Sequence, residues 1–169
     1  DSGVGGLTVL AALRKALPEA DLLYLGDTAR VPYGTRSAQT VASYASDSAR
    51  WLLARGCEQL VIACNTASAY GAEAVCALAE GKPVHEVVGA GAVAASRQGG
   101  LRGVAVLATR GTVGSGAYAR ALAATLPETP LRQVACPLLV PMIEEGWYEH
   151  PAMDAVVSTY LSELEGFDF

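Results

Sequence analysis

The chain of 169 residues is 51% hydrophobic, enough to build a buried core in one domain or two small ones, and its 4 cysteines are too dispersed for a disulfide-stapled scaffold. Its formal charge of −5, with 12 basic residues scattered along the chain, offers no basic stripe for nucleic acid. No apolar run approaches the roughly 20 residues of a membrane helix and no signal-peptide pattern opens the chain, so a cytoplasmic protein with reduced thiols and neither nucleic-acid nor membrane partners is expected.

The elements alternate along the chain. Asp1-Ser2-Gly3-Val4-Gly5-Gly6 reads as a loop opening a helix at about Leu7 to Ala16, so a strand is expected ahead of it. Leu22-Leu23-Tyr24-Leu25 reads as a strand and Ala38 to Ala54 as a helix. A strand at Leu60 to Ala63, a helix at Ala67 to Ala79 and a strand at Pro83 to Val88 follow. Ser96 to Gly103 has the polar and glycine content of a loop. Beyond it come a strand at Val104 to Leu107, a helix at Gly114 to Leu126, a strand at Leu131 to Ala135 and a helix at Ala152 to Leu164. Phe167-Asp168-Phe169 reads as the start of a further strand. This alternation predicts an α/β fold of two parallel-sheet lobes, residues 1–88 and 89–169, with a cleft between them. Both ends read as cut: the first lobe lacks its first strand and its C-terminal part, and the second is truncated.

Open α/β sheets bind ligands beyond the carboxyl ends of their strands, so the residues after each apolar run are the ones to collect. They are Asp1 and Ser2; Asp27, with Tyr33 and Gly34 shortly after; Cys64, Asn65 and Thr66; Thr109 and Thr112; and Glu144. Cys64 stands where a strand hands over to a helix, so free backbone N–H groups and the positive end of the helix dipole would face its sulfur and favour the thiolate. Asn65 and Thr66 add hydrogen-bonding groups that would cap the helix or grip a substrate carboxylate. On this pattern alone, a small buried residue before an ordinary cap is an equal reading. Cys57, Cys76 and Cys136 lack such a polar retinue, and Cys76, inside an apolar helical run, reads as core.

Other chemistries fit less well. A Cys-His hydrolase needs a base, and the two histidines lie in an apolar strand-like run (His85) and in an acidic, aromatic stretch (His150). Neither they nor the isolated cysteines have metal-ligand spacing, so no metal is expected. Gly3-Val4-Gly5 finds Thr8 where a dinucleotide loop needs glycine, and Gly81-Lys82 is followed by Pro83 rather than Ser or Thr.

Taken together, DSGVGGLTV from Asp1, GDTARVPYG from Gly26 and VIACNTASA from Val61 resemble the glutamate racemase family, cofactor-independent amino-acid racemases. The match continues through LATRGTVGSGAY from Leu107 and CPLLVPMIEEG from Cys136, and so spans nearly the whole chain. The resemblance implies that glutamate is held between two α/β domains and that two cysteines on opposite sides of its α-carbon act as base and acid. Cys64 takes the first role. Carried over by motif, Asp1 and Ser2 would contact the substrate and tune the thiol, Asp1 also assisting proton transfer. By the same resemblance Tyr33, Gly34, Asn65 and Thr66 would bind the substrate, and Asp27 and Glu144 would be supporting ionisable groups. Carbanion character beside the carboxylate is stabilised by donors, so no cofactor is implied, and neither Lys15 nor Lys82 offers an anchor for pyridoxal. The family's second cysteine, in a GCTH-type motif, is expected after the next strand, beyond Phe169, so this polypeptide alone should not racemise. Glu86 and Ala90 stand where the family usually shows glycine and proline. Other readings are a racemase of aspartate or a hydantoin, and a non-catalytic amino-acid-binding or regulatory module; a homodimer is left open.

Overall fold

The computed structural model of the protein describes residues 1–169, which divide into two compact units, Asp1–Val87 and Val88–Phe169.

The first unit runs α1 (Leu7–Ala16), a 3-10 turn (Tyr33–Thr35), α2 (Ala38–Leu53), β1 (Leu60–Ile62), α3 (Asn65–Leu78) and β2 (Val84–Glu86). The two strands are parallel, with Leu60 opposite Val84 and Ile62 opposite Glu86. Leu60 and Ile62 are buried while Val61 between them is exposed, the period-two alternation of a strand that packs on one face. That face meets the stripe Val41, Ala45 and Ala49 of α2, spaced by four residues as an amphipathic helix requires, together with Ala67 and Val75 of α3. Ser37 starts α2: its hydroxyl accepts the Thr40 N–H at 3.2 Å, supplying one of the partners that the first turn lacks. The expected strand at Leu22 to Leu25 belongs to neither sheet. Only Asp1 pairs there, its backbone nitrogen donating to Leu25 O at 2.9 Å and its carbonyl accepting from Asp27 N at 2.9 Å. Those bonds straddle Gly26 as a parallel bridge would, but a ladder needs consecutive residues that do the same.

The second unit holds α4 (Val87–Ser96) from its second residue on, then β3 (Val104–Ala108), α5 (Arg110–Ser115), α6 (Ala117–Thr125), β4 (Leu131–Ala135), α7 (Leu139–Glu144), a 3-10 turn (Trp147–Glu149) and α8 (Pro151–Ser162). β3 and β4 are parallel from Val104 opposite Leu131 to Ala108 opposite Ala135. Val106 packs with Ala92 of α4 and Leu122 of α6, while Val134 and Cys136 pack with Tyr160 and Leu164. The single helix expected from Gly114 to Leu126 is two, because Gly116 takes the left-handed conformation at φ 67° and ends α5. Residues 167–169 form no strand. No helix of either unit is long and apolar enough to cross a membrane.

Candidate active site

β1 ends at Ile62, and Cys64, with extended backbone at φ −85° and ψ 126°, is the N-cap of α3. The helix starts at Asn65, two residues ahead of the expected Ala67, so Asn65 and Thr66 lie in its first turn. The Cys64 sulfur takes the place that a serine or aspartate oxygen usually occupies in a cap. It accepts the Ala67 N–H at 3.4 Å and the Ser2 hydroxyl proton at 3.2 Å. Cys64 is half-buried, Asn65 exposed and Thr66 buried. Ser68 steadies this end of the helix, donating to Ile62 O at 3.2 Å and accepting from Val87 N at 3.4 Å.

Asp1 stands close by. Its Oδ2 accepts the amides of Gly3 and Gly6, each at 3.0 Å, and the hydroxyl of Tyr24 at 3.2 Å. Glycine at position 6 makes room for it: a Cβ there would lie 2.7 Å from the Cβ of Asp1 and 3.0 Å from that of Ala63. The Tyr24 hydroxyl also donates to Gly3 O at 2.7 Å. Burial raises the Tyr24 hydroxyl above the usual phenol range, and negative charge at Cys64 adds to the effect.

A second polar cluster surrounds Asp27, whose Oδ2 accepts from the Tyr33 hydroxyl at 2.5 Å and from Arg30 Nε at 2.6 Å. Arg30 also reaches Asp47 at 3.0 Å and lies 4.3 Å above the ring of Tyr44. Tyr33 is buried, and burial first, then its bond to Asp27 and the charge of that carboxylate, raise its hydroxyl well above the usual phenol range. The hydroxyl of Tyr33 is thus engaged with Asp27, while Gly34, next in the 3-10 turn, is half-buried. Tyr24 and Arg30 were not among the residues collected from the sequence. Arg30 had a signal, since it follows Asp27 by three residues with opposite charge. Tyr24 had none, because it meets Asp1 across 23 positions.

Three of the collected residues belong to the second unit. Thr109 caps α5, its hydroxyl accepting Thr112 N at 3.2 Å and lying 3.1 Å from the hydroxyl of Thr112, which is fully buried; Glu144 is exposed at the end of α7. The histidines are engaged elsewhere. His85, exposed in β2, lies 3.4 Å from Gln59 Oε1, and His150 caps α8 and stacks on Trp147. Cys136 is buried, and its thiol is raised by that burial and then by the charge of Glu163, against a backbone hydrogen bond from the Ala108 region that lowers it. Cys76, expected in the core, is exposed: it follows the buried Val75 by about 100° of helical rotation, which carries it off the packed face.

The chain matches the Asp/Glu/Hydantoin racemase family over residues 8–157. It is 47% identical over 164 residues to a glutamate racemase of Geobacter metallireducens, an alignment covering 97% of this chain and 60% of that protein. With a glutamate racemase of Syntrophus aciditrophicus the identity is 45% over 161 residues, covering 95% of this chain and 59% of the relative. The chain therefore spans about 60% of the length of these relatives. The crystal structure of a glutamate racemase from Francisella tularensis in complex with D-glutamate superposes with a TM-score of 0.92 at 37% identity, over 98% of this chain and 62% of that one. By sequence and by fold, this chain belongs to the Asp/Glu/Hydantoin racemase family.

Proposed function

We propose that the chain is part of a glutamate racemase in which Cys64 exchanges the α-proton of the substrate. The observation that carries this reading is the setting of Cys64, at a strand-to-helix junction with Ser2 and the Ala67 amide both directed at its sulfur. Glutamate as substrate is supported by the relatives of that name and by the D-glutamate complex of the Francisella protein. In the proposed reaction the Cys64 thiolate takes the α-proton and becomes a thiol. The electron pair left on the α-carbon spreads into the adjacent carboxylate, where hydrogen-bond donors stabilise the growing negative charge. Ser2, Gly34, Asn65 and Thr66 are the proposed donors, Tyr33 shapes the turn that carries Gly34, and Asp1 assists the proton transfer. Thr109, Thr112, Asp27 and Glu144 have supporting roles in this reading.

A second thiol returns a proton to the opposite face of the α-carbon, which completes the inversion. We assign it to a second cysteine of the full-length protein. The D-glutamate formed supplies peptidoglycan synthesis in the cytoplasm. In the full-length protein, Cys64→Ser is expected to slow α-deuterium exchange of at least one glutamate enantiomer by roughly 100-fold or more, the scale of a lost general base. Exchange that persists with both enantiomers rejects the assignment of Cys64; exchange with aspartate in place of glutamate corrects the substrate.

A further inference from the structure

The carboxylate of Asp1 is held through Oδ2. This oxygen accepts three donors, the Gly3 and Gly6 amides and the Tyr24 hydroxyl. Two of these donors are backbone groups that no substitution deletes short of proline; the third is a side chain 23 residues away. The Tyr24 hydroxyl lies 2.7 Å from Gly3 O as well as 3.2 Å from Asp1 Oδ2, so its single proton is shared between two acceptors and ties the carboxylate to the backbone of its own loop. Neighbouring glycines keep this arrangement tight. A Cβ at Gly26 would run into Gly3 O and stand 3.2 Å from the Tyr24 ring, and a Cβ at Gly6 would press on Asp1. The same loop carries Ser2, which donates to the Cys64 sulfur.

We propose that Tyr24 is a positioning residue for Asp1: by holding Oδ2 it fixes the orientation in which the carboxylate meets the bound substrate. This rests on the racemase reading. A carboxylate with free torsions would divide its time among several orientations, and each unproductive one subtracts from the rate of a step that needs the group in place. Tyr24 would then act on turnover more than on substrate affinity, because it touches Asp1 rather than the substrate.

The test is Tyr24→Phe in the full-length protein, which removes one oxygen and keeps the ring. The expected result is a roughly ten-fold fall in kcat with KM unchanged within about two-fold, the scale of one lost hydrogen bond to a charged group. In an Asp1→Asn background the same substitution should cost less than about two-fold more, since a residue acting only through Asp1 has nothing left to position. Losses that multiply independently, or an unchanged kcat, overturn the proposal. Failure of the racemase reading itself looks different, since Cys64→Ser then leaves exchange intact. Amide hydrogen exchange reads the contact without turnover: Tyr24→Phe should speed exchange at Gly3 and Gly6, and unchanged rates at both also overturn the proposal.

Discussion

A Cβ at residue 71 of α3 would sit 2.6 Å from the Cβ of Ala45 in α2, closer than two side-chain carbons pack, so glycine is what lets these helices meet. Two effects of Gly71→Ala oppose each other. Alanine improves helix propensity by about 1 kcal/mol, while forcing apart a packed contact costs about 1–3 kcal/mol. The clash involves a short side chain with no flexible end to swing away, so the cost wins. A lower urea midpoint is expected for the variant; an unchanged or higher one shows that the helices separate freely. At this scale the sequence was legible where chemistry and neighbours in the chain coincide. Cys64 drew notice because Asn65 and Thr66 follow it, and Asp1 and Ser2 because a helix follows them. Tyr24 and the exposure of Cys76 were not legible, since one depends on a contact across 23 positions and the other on which side of α3 faces α2.

Among the elements, α1 and α2 start where expected, at Leu7 and Ala38, whereas α3 starts two residues early and α5, capped by Thr109, begins ahead of the expected Gly114. Ser37 is the cap of α2, and Ser37→Ala removes the acceptor for the Thr40 amide, so thermal stability should fall by about 1 kcal/mol. A thermal scan checks this, and no change means that water replaces the serine oxygen at no cost. The strands β1, β2 and β4 fall within apolar runs expected to be strands, and β3 runs one residue past its own, to Ala108. α4 escaped because Val87–Ser96 is apolar on every side: with small and aliphatic residues all round and glycine at 89 and 91, it shows neither a helical nor a strand period. α7 was also missed, since Pro141 interrupts the pattern that would mark a helix. Gly116 looked like one more small residue in a helical run, and only its positive φ divides α5 from α6.

At the scale of the whole molecule, each unit carries one of the two tryptophans, Trp51 in the first and Trp147 in the second. Each unit also carries side chains whose acids are weakened by folding, Tyr33 and Tyr24 in the first and Cys136 in the second. Burial raises the Cys136 thiol in the second unit and, with Asp27, the Tyr33 hydroxyl in the first. A folded state that keeps a proton the unfolded chain has lost becomes less stable as pH rises. The stabilisation is complete below the unfolded pKa, about 8.5 for cysteine and about 10 for tyrosine, and drains away above it. Urea titrations of Trp51→Phe, which leaves Trp147 as the reporter, should lose midpoint from about pH 8.5 upward. Those of Trp147→Phe should hold until about pH 10. Midpoints that fall in the opposite order would contradict the burial of these two groups as the cause. One feature of the first unit also links its chemistry to its stability. Because the Cys64 sulfur is at once the proposed reacting atom and the acceptor that opens α3, an electrophile that alkylates it deletes a helix cap in the same stroke. α3 packs on α2 and on β1, so covalent inactivation would register as a loosened core, whereas a reversible ligand that leaves the sulfur free would tighten the same unit.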